Sequence, residues 1–302
     1  QGERWGQKVA HGWSVILAGP ELRVGCGQFM NGCCPAGRSR IVWFETMTQD
    51  ITPLILTYNE APNIGRVLQK LRWARRVVVL DSFSTDETET ICQTFPNVAF
   101  LQRKFDNHTA QWNFGVSQVQ TGWVLALDAD YILSEDFVAE LGRWTPSAEV
   151  SAAFAAFRYC IGGRRLKASL YPPRAVLFRR DACAYEQDGH TQRLKINGAT
   201  TAFTSTIDHD DRKSLSHWLW AQNRYAALEV EKLLAASPER LSAADKLRRM
   251  IWPGPLAVFL ITFFGKGMFI EGWSGWYYTL QRTLAELILS LRLIEAKFKA
   301  NK

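Results

Sequence analysis

The stretch Trp123–Asp136, WVLALDADYILSED, decides the fold expected of this chain. It begins as a continuous apolar run that ends at Leu127, which is typical of a strand buried on both faces of a parallel sheet. Asp128-Ala129-Asp130 follows, where open α/β sheets bind ligands, and burying two carboxylates there is costly unless a cation neutralises them. The spacing predicts one carboxylate on a divalent metal and the other on the ligand or a metal-bound water. The simpler alternative is that Asp130 caps a turn and Asp128 is merely exposed.

Polar residues also follow earlier strands of the same half. Apolar runs at 51–57, 77–80 and 97–101 alternate with helical patterns, which predicts a parallel sheet with right-handed crossovers. Polar clusters stand where three of the runs end: Thr57-Tyr58-Asn59-Glu60, Asp81-Ser82 and Asp128-Ala129-Asp130. Because the carboxyl ends of parallel strands share one sheet edge, these clusters predict a nucleotide site. Neither GxGxxG nor GxxxxGK(S/T) occurs, so we expect a metal held by Asp130 to neutralise the phosphates.

Composition limits the class of protein. The chain has 302 residues, of which 47% are hydrophobic, and this predicts a globular protein with a sizeable core. A net charge of +7 and a pI of about 9.2 suit an anionic partner: nucleic acid, a nucleotide or an anionic membrane surface. The six cysteines lack paired metal-ligand spacing, so we expect reduced, structural thiols.

The chain divides into three parts. Residues 1–46 are rich in Gly, Arg and Trp without a clear period, and we expect a poorly ordered or non-native extension that activity does not need. Residues 47–236 form the predicted catalytic domain, with a donor half at about 47–140 and an acceptor half at about 141–236. Residues 237–302 are predicted to form a helical region that meets a membrane interface.

Three segments of the donor half together resemble the family 2 glycosyltransferases: ILTYNE at 55–60, VVVLDSFSTDET at 77–88 and LALDAD at 125–130. The resemblance covers about residues 51–140. It implies the α/β GT-A fold, a Rossmann-like, mostly parallel sheet with an added mixed acceptor-side sheet and C-terminal helices. The chain departs from the family at Ser82-Phe83, where many members carry Asp-Gly. Contact with the nucleobase of the donor is therefore left to Asp81.

The resemblance also implies roles for residues of the donor half. Thr57, Tyr58, Glu60 and Asp81 would bind the nucleoside of a nucleotide sugar. Asp128 would face the ribose or a metal-bound water, and Asp130 would bind Mg²⁺ or Mn²⁺.

The acceptor half contains short strand patterns and two polar clusters, at 185–192 and 208–213. Its strand patterns include 193–196 and 201–207, which flank Asn197-Gly198, a hairpin signal. In the first cluster the resemblance implies that Asp188 is the catalytic base, with Glu186 and His190 as the next candidates. The alternative is that Asp188-Gly189 is an ordinary turn pair.

In the second cluster the resemblance implies His209 as a further metal ligand. Arg212 or Lys213 would then bind the diphosphate. The alternatives are a solvated surface histidine and a surface charge pair.

Residues 252–278, WPGPLAVFLITFFGKGMFIEGWSGWYY, form the second unusual region. Its apolar run, Leu256–Phe264, is too short to span a bilayer and is interrupted by Gly265-Lys266-Gly267. Flanking Trp and Tyr residues are typical of a monotopic segment in the membrane interface. The alternative is a hairpin packed on the core or against a dimer partner.

Taken together, the residues and the resemblance predict an inverting, metal-dependent glycosyltransferase that uses a UDP-linked sugar. The chain from Met47 resembles the lipopolysaccharide-core β-glucosyltransferase branch, which implies a glycolipid or oligosaccharide acceptor at the cytoplasmic face of the inner membrane and no nucleic acid partner. A polyprenyl-phosphate acceptor is the near alternative. Two alternatives belong to another class. One is a sugar-nucleotide nucleotidyltransferase, but this chain lacks the phosphate-binding loop that such an enzyme needs after the first strand. The other is a nucleotide sensor without catalytic activity.

Overall fold

The computed structural model describes residues 48–188, 191–237, 239 and 241–300, and only the backbone of residues 188 and 191. The strands are β1 (Ile51–Thr57), β2 (Val77–Asp81), β3 (Val98–Gln102), β4 (Trp123–Asp128), β5 (Tyr131–Leu133), β6 (Val150–Ile161), β7 (Arg164–Arg165), β8 (Arg174–Arg179), β9 (Cys183–Asp188), β10 (Thr191–Ile196) and β11 (Ala199–His209). The helices are α1 (Ile64–Gln69), α2 (Thr88–Gln93), α3 (His108–Ser117), α4 (Glu135–Arg143), α5 (Leu215–Ala235), α6 (Ala243–Arg249), α7 (Pro253–Leu260) and α8 (Gly272–Ala300). A π-helical turn (Ile261–Gly265) and a 3₁₀ turn (Met268–Glu271) join α7 to α8.

The main sheet has the strand order β3-β2-β1-β4-β8-β6-β11-β5, with β7 paired to β6. The pairs of the donor half, β3 with β2, β2 with β1 and β1 with β4, are all parallel, as the sequence predicted. Strand β8 runs antiparallel to β4 and β6, while β6 and β11 are parallel. Strands β6, β8 and β11 of the acceptor half therefore continue the main sheet with mixed strand directions, while β9 and β10 form a separate two-stranded ribbon.

The hairpin predicted at Asn197-Gly198 is wrong. Strand β10 pairs with β9 in a two-stranded ribbon, and β11 leaves that ribbon to join β6. Gly198 has φ +132°, and a Cβ atom there would lie 2.2 Å from the Ser151 hydroxyl oxygen, so the chain crosses into the main sheet at a point that only glycine fits. A glycine required for close approach carries the same sequence signal as a glycine in a hairpin turn.

Strand β4 is buried along its apolar length, as predicted. Alternate side chains face opposite layers, as the pleat of a strand requires. Leu125 and Leu127 belong to the core cluster that includes α1 and α4, whereas Val124 and Ala126 pack with Trp112 of α3. Because both faces of the strand are covered, the carboxylates that follow it lie at the end of a rigid element.

Helices α5 and α8 pack together and make a second core. Apolar residues such as Val230 and Leu289 fill the space between them. A buried guanidinium, Arg248, reaches the carboxylate of Glu286 at 2.9 Å and that of Asp245 at 3.4 Å. Such a buried group is tolerated because paired carboxylates compensate its charge. The pair fixes α6 against α8.

The thiols that the structure describes fit the predicted structural role. Cys92, Cys160 and Cys183 are free and buried. Burial, with a smaller contribution from nearby carboxylates, raises the pKa of Cys92 to about 12. A thiol with such a pKa stays protonated at neutral pH and is a poor nucleophile.

Candidate active site

The carboxyl ends of β1, β2 and β4 lie side by side at one sheet edge. Thr57 is the register partner of Asp81, and Leu56 is the partner of Asp128. The Thr57 hydroxyl donates to the Asp81 carboxylate at 2.8 Å. The three polar clusters that the sequence placed at strand ends therefore share one edge.

Asp81 organises the two loops at this edge. Its side chain is fully buried and accepts from the backbone N–H of Ser84 at 2.7 Å and from the Ser84 hydroxyl at 2.5 Å. The same hydroxyl accepts from the backbone N–H of Asn59 at 2.8 Å. Asn59 and Phe83 adopt positive φ angles of 53° and 59°, which let the loops turn tightly around the carboxylate. The loops after β1 and β2 are therefore held rigidly in position.

Glu60 and Lys213 form a buried ion pair. Their charged atoms are 2.7 Å apart, and the side chains are 0% and 4% exposed. Asn63 also donates to the Glu60 carboxylate, at 3.0 Å. Because Glu60 compensates the charge of Lys213, this lysine ties the segment after β11 to the loop after β1. The sequence had assigned the two residues to separate contacts with the nucleotide sugar.

Asp210 makes a second link between the same segments. Arg66 of α1 reaches its carboxylate at 2.7 Å, and Arg212 reaches it at 2.9 Å. Burial alone would raise the pKa of Asp210, but hydrogen bonds and charges from Arg212 and Arg66 outweigh it and hold that pKa below its usual range. Arg212 thus has a carboxylate partner within the protein.

Asp130 and His209 meet where β5 pairs with β11. The imidazole Nε2 of His209 lies 3.4 Å from a carboxylate oxygen of Asp130. The histidine ring packs between Tyr159 and Tyr171, with centroid distances of 4.8 and 4.6 Å, and also contacts Tyr131. Sequence reasoning missed this aromatic cage because its three tyrosine rings come from three separate segments.

The tyrosine hydroxyls around this pair are kept neutral. Tyr131 and Tyr171 are hydrogen-bonded to each other through their hydroxyls. Burial raises the pKa of both groups, and the nearby Asp128 raises it further. The two tyrosine hydroxyls therefore act as neutral hydrogen-bonding groups beside Asp128.

Asp128 lines a cavity of about 420 Å³ between the end of β4 and the β9–β10 ribbon. Trp112 and Tyr185 form part of its wall and stack on each other at 5.3 Å. Arg174 lines the same cavity, with its guanidinium 5.7 Å from the centre of the Tyr171 ring. Sequence reasoning missed Arg174. The only feature of the sequence that could have pointed to it is its position directly after the chain break signal Pro172-Pro173. The cavity thus brings the Asp128 carboxylate together with the guanidinium groups of Arg174 and Arg193 and with aromatic and apolar side chains, as ligand sites often do.

The comparisons with known proteins decide the family. The model of Glycosyl transferase family 2 matches residues 54–207, just over half of the chain. The chain belongs to glycosyltransferase family 2. Family 2 membership and the parallel donor half followed by C-terminal helices confirm the GT-A fold predicted from the sequence.

Two curated relatives extend over most of the chain. The lipopolysaccharide core biosynthesis glycosyltransferase LpsC of Rhizobium meliloti is 21% identical over 234 residues, which cover 74% of this chain and 84% of LpsC. An uncharacterized glycosyltransferase of Rickettsia felis is 22% identical over 272 residues, covering 83% of this chain and 92% of that protein.

Two solved structures are also similar. S. aureus TarS in complex with UDP-GlcNAc has a TM-score of 0.44 and 13% identity, over 83% of this chain and 92% of that one. Glucosyl-3-phosphoglycerate synthase from Mycobacterium tuberculosis, in complex with Mn²⁺, UDP and phosphoglyceric acid, has a TM-score of 0.42 and 12% identity, over 66% of this chain and 84% of that one.

A divalent metal in this family 2 chain would need oxygen or nitrogen ligands. Within the described ranges, no group of three or more His, Cys, Asp or Glu side chains is arranged to hold a metal ion. The pair Asp130 and His209 offers two donors 3.4 Å apart, close to the separation of about 3 Å between adjacent ligands of an octahedral ion with bonds of about 2.1 Å. The pair therefore fits an ion that takes its remaining ligands from substrate phosphates and water, as Mg²⁺ commonly does.

The candidate bases of this family 2 chain lie on the β9–β10 ribbon. Glu186 points to the exposed side, where it pairs with Lys195 at 2.9 Å. Asp188 is the last residue of β9, and its backbone pairs with Thr191. The side chain of Asp188 and the whole of Gly189 and His190 lie outside the described residues, so Asp188 and His190 stay predictions.

Proposed function

We propose that this chain is an inverting glycosyltransferase that moves a sugar from a UDP-linked donor to a glycan acceptor of the lipopolysaccharide-core type. The proposal rests on one sheet edge, where Asp81 ends β2, Asp128 ends β4 and Asp130 follows two residues later, with His209 beside Asp130. Family 2 membership supports the reaction class, and the similarity to LpsC supports the acceptor class.

In this proposal the donor lies across the sheet edge. Asp81, already oriented by Thr57 and Ser84, accepts hydrogen bonds from the nucleobase of the donor. Tyr58, the first residue after β1, lies beside the nucleoside, and Asp128 faces the ribose from the end of β4. Arg174 donates to the diphosphate in the cavity, where a guanidinium matches phosphate geometry. Asp210 compensates the charge of Arg212, and Glu60 compensates that of Lys213. The main role of these two residues is therefore to hold the segment after β11 in place, and their contact with the diphosphate is weaker than that of Arg174.

The transfer is a single displacement. The acceptor hydroxyl oxygen bonds to the anomeric carbon, while the bond from that carbon to the diphosphate oxygen breaks and its electron pair leaves with UDP. Asp188 takes the hydroxyl proton from the face opposite the leaving group, which inverts the anomeric centre. Asp130 and His209 would hold Mg²⁺ or Mn²⁺, which supplies positive charge to the departing diphosphate.

A screen of donors tests this proposal. We expect UDP-sugars with Mn²⁺ to raise the unfolding temperature of the protein more than GDP-sugars with Mn²⁺, because a ligand that binds only the folded state stabilises it. Each sugar is also measured with EDTA, which should remove the shift. A shift that GDP-sugars alone produce would reject the UDP assignment, and the absence of any shift would reject donor binding.

The C-terminal helices support a membrane location for the acceptor. Large apolar side chains lie exposed over α7, the two turns and the first half of α8, and we call this surface the C-terminal apolar face: Trp252, Leu256, Leu260, Phe264, Phe269, Ile270, Trp273, Trp276 and Leu280. Exposed large apolar side chains grouped in one segment are typical of interaction surfaces. Of the helices that the structure describes, none is by itself long and apolar enough to cross a bilayer. The segments Pro253–Gly265 and Met268–Ala300 reach that length and composition only as a pair, bent by 67°.

We propose that the C-terminal apolar face lies in the interfacial plane of an anionic membrane, at its cytoplasmic side. We expect the protein to sediment with anionic vesicles at low salt and to be only partly released at high salt, because salt screens charges but not apolar burial. Replacing Leu256, Phe264 and Ile270 with serine should release the protein from the vesicles, since all three side chains are exposed. Phe263 is left unchanged because it is buried.

The matched control for this experiment replaces three exposed leucines of α5 with serine: Leu215, Leu219 and Leu234. This control should leave sedimentation unchanged, and both triple variants should still transfer sugar to a small acceptor in solution. The membrane assignment would be rejected if the variant with serine at positions 256, 264 and 270 sediments as the unmodified protein does. It would also be rejected if the unmodified protein does not sediment at all.

A further inference from the structure

A second cavity lies beside the Asp130–His209 pair, with Tyr159 in its wall. Its volume is about 310 Å³, and we call it the aromatic pocket. The residues that line it include Tyr159, Asp211, Arg212, Trp218, Tyr277 and Gln281. They come from β6, from the segment after β11 and from helices α5 and α8, so the pocket forms only when the C-terminal helices dock on the catalytic domain.

The aromatic pocket shares a wall with the Asp130–His209 pair. One face of this wall is the ring of Tyr159, which contacts the His209 ring at 4.8 Å and the Tyr278 ring at 4.9 Å. The Tyr278 hydroxyl accepts from the backbone N–H of Leu170 at 2.8 Å, which fixes α8 against the sheet. A ligand in the pocket would therefore lie within one aromatic ring of the proposed metal ligand His209.

The charged groups of the pocket already have hydrogen-bond or ion-pair partners within the protein. Asp211 accepts from the Asn63 amide at 2.8 Å and from the backbone N–H of Lys213 at 3.0 Å, and Arg212 pairs with Asp210. A pocket built to bind a free anion would present an uncompensated cation. This pocket instead offers aromatic surfaces beside amide, carboxylate and guanidinium groups.

That combination matches the chemistry of a sugar ring. The apolar C–H face of a pyranose can pack on the rings of Trp218 and Tyr277, since aromatic side chains offer large flat apolar surfaces. Its hydroxyls both donate and accept, so they suit the Asp211 carboxylate and the Gln281 amide. The volume lies at the lower end of small-molecule sites, which span about 300 to 1,000 Å³. The pocket thus suits a short saccharide rather than a long lipid chain.

We infer that the aromatic pocket binds the acceptor saccharide, with Trp218 and Tyr277 as its stacking platform and Gln281 as a hydroxyl ligand. The inference rests on the proposed function and names the site of its second substrate. Helix α8 connects this site to the membrane surface, because Trp276 and Leu280 of the C-terminal apolar face are chain neighbours of Tyr277 and Gln281. A lipid-linked glycan could then enter the pocket from the bilayer side.

The test measures binding of deacylated lipopolysaccharide-core oligosaccharide to the full chain by saturation-transfer NMR and tryptophan fluorescence. We expect Tyr277→Ala and Gln281→Ala each to weaken binding about tenfold, which corresponds to about 1.4 kcal/mol. The matched control is Trp276→Ala, the adjacent residue of α8 with nearly the same exposure, 39% against 40% for Tyr277. This control should bind the oligosaccharide as the unmodified protein does. Unfolding temperatures of all variants show whether each one folds.

The shift in unfolding temperature caused by UDP with Mn²⁺ separates this inference from the proposed function. It should be equal in the unmodified protein and all three variants, because the donor edge is not changed. Oligosaccharide affinity that Tyr277→Ala and Gln281→Ala leave unchanged, or that Trp276→Ala lowers equally, would overturn the aromatic pocket as the acceptor site. No UDP shift in the unmodified protein would instead overturn the donor assignment, while binding that depends on Tyr277 would still place a saccharide in the pocket.

Discussion

Asp188→Asn should lower the turnover number by about two to four orders of magnitude, which is the usual contribution of general-base catalysis. Asparagine is nearly isosteric but cannot accept the proton of the acceptor hydroxyl. Donor affinity should stay within a small factor of the unmodified value, because the base acts on the acceptor. Steady-state kinetics with a small acceptor, together with calorimetric donor titration, separate the two effects.

Glu186→Gln and His190→Ala are the comparison variants for this experiment. Glu186 pairs with Lys195 on the exposed side of the ribbon, so its change should leave turnover nearly normal. Collapse of turnover in Glu186→Gln or His190→Ala, with near-normal turnover in Asp188→Asn, would move the base to that neighbour.

The second large effect is expected for Asp130→Asn, which should remove metal-dependent donor binding. Changes to residues that only support a metal ligand typically cost about 10- to 100-fold in affinity, so loss of a direct ligand should cost at least about 100-fold. The fold should persist, because Asp130 stands between β4 and β5 rather than inside a strand. Calorimetric titration of a UDP-sugar with and without Mn²⁺ measures the loss.

Asp136→Asn is the matched control for this change. It removes the same charge from an exposed aspartate six positions further on, in the first turn of α4. Equal donor and metal affinity in Asp130→Asn and the unmodified protein would refute the metal assignment. Equal losses in both variants would show that net charge, and not ligation, controls donor binding.

The donor half could be predicted from the sequence because its signals are local. Each buried strand is a short apolar run, each strand end carries its own polar cluster, and parallel order follows from the alternation with helices. Helix starts also depend on local residues: Ser214 caps α5 by accepting from the backbone N–H of His217, and Ser242 with Asp245 forms a capping box on α6.

Contacts between distant segments could not be predicted in this way. The partners Glu60 and Lys213 are 153 positions apart, and no period or spacing connects them. The aromatic pocket combines a strand, a loop and two helices, and Arg174 enters the donor cavity only because β8 inserts between β4 and β6. The hairpin at Asn197-Gly198 failed for the same reason, since the Gly198 conformation serves a contact with Ser151 on another strand.

Nucleotide release and product configuration test directly whether the protein is an inverting, UDP-dependent transferase. The protein is incubated with a UDP-sugar, Mn²⁺ and deacylated lipopolysaccharide-core oligosaccharide, and free UDP and the anomeric configuration of the product are followed by NMR. We expect UDP to be released together with a product of inverted configuration, and EDTA or Asp130→Asn to stop both. Release that is unchanged by EDTA, a product of retained configuration, or no nucleotide release from any UDP-sugar would contradict it.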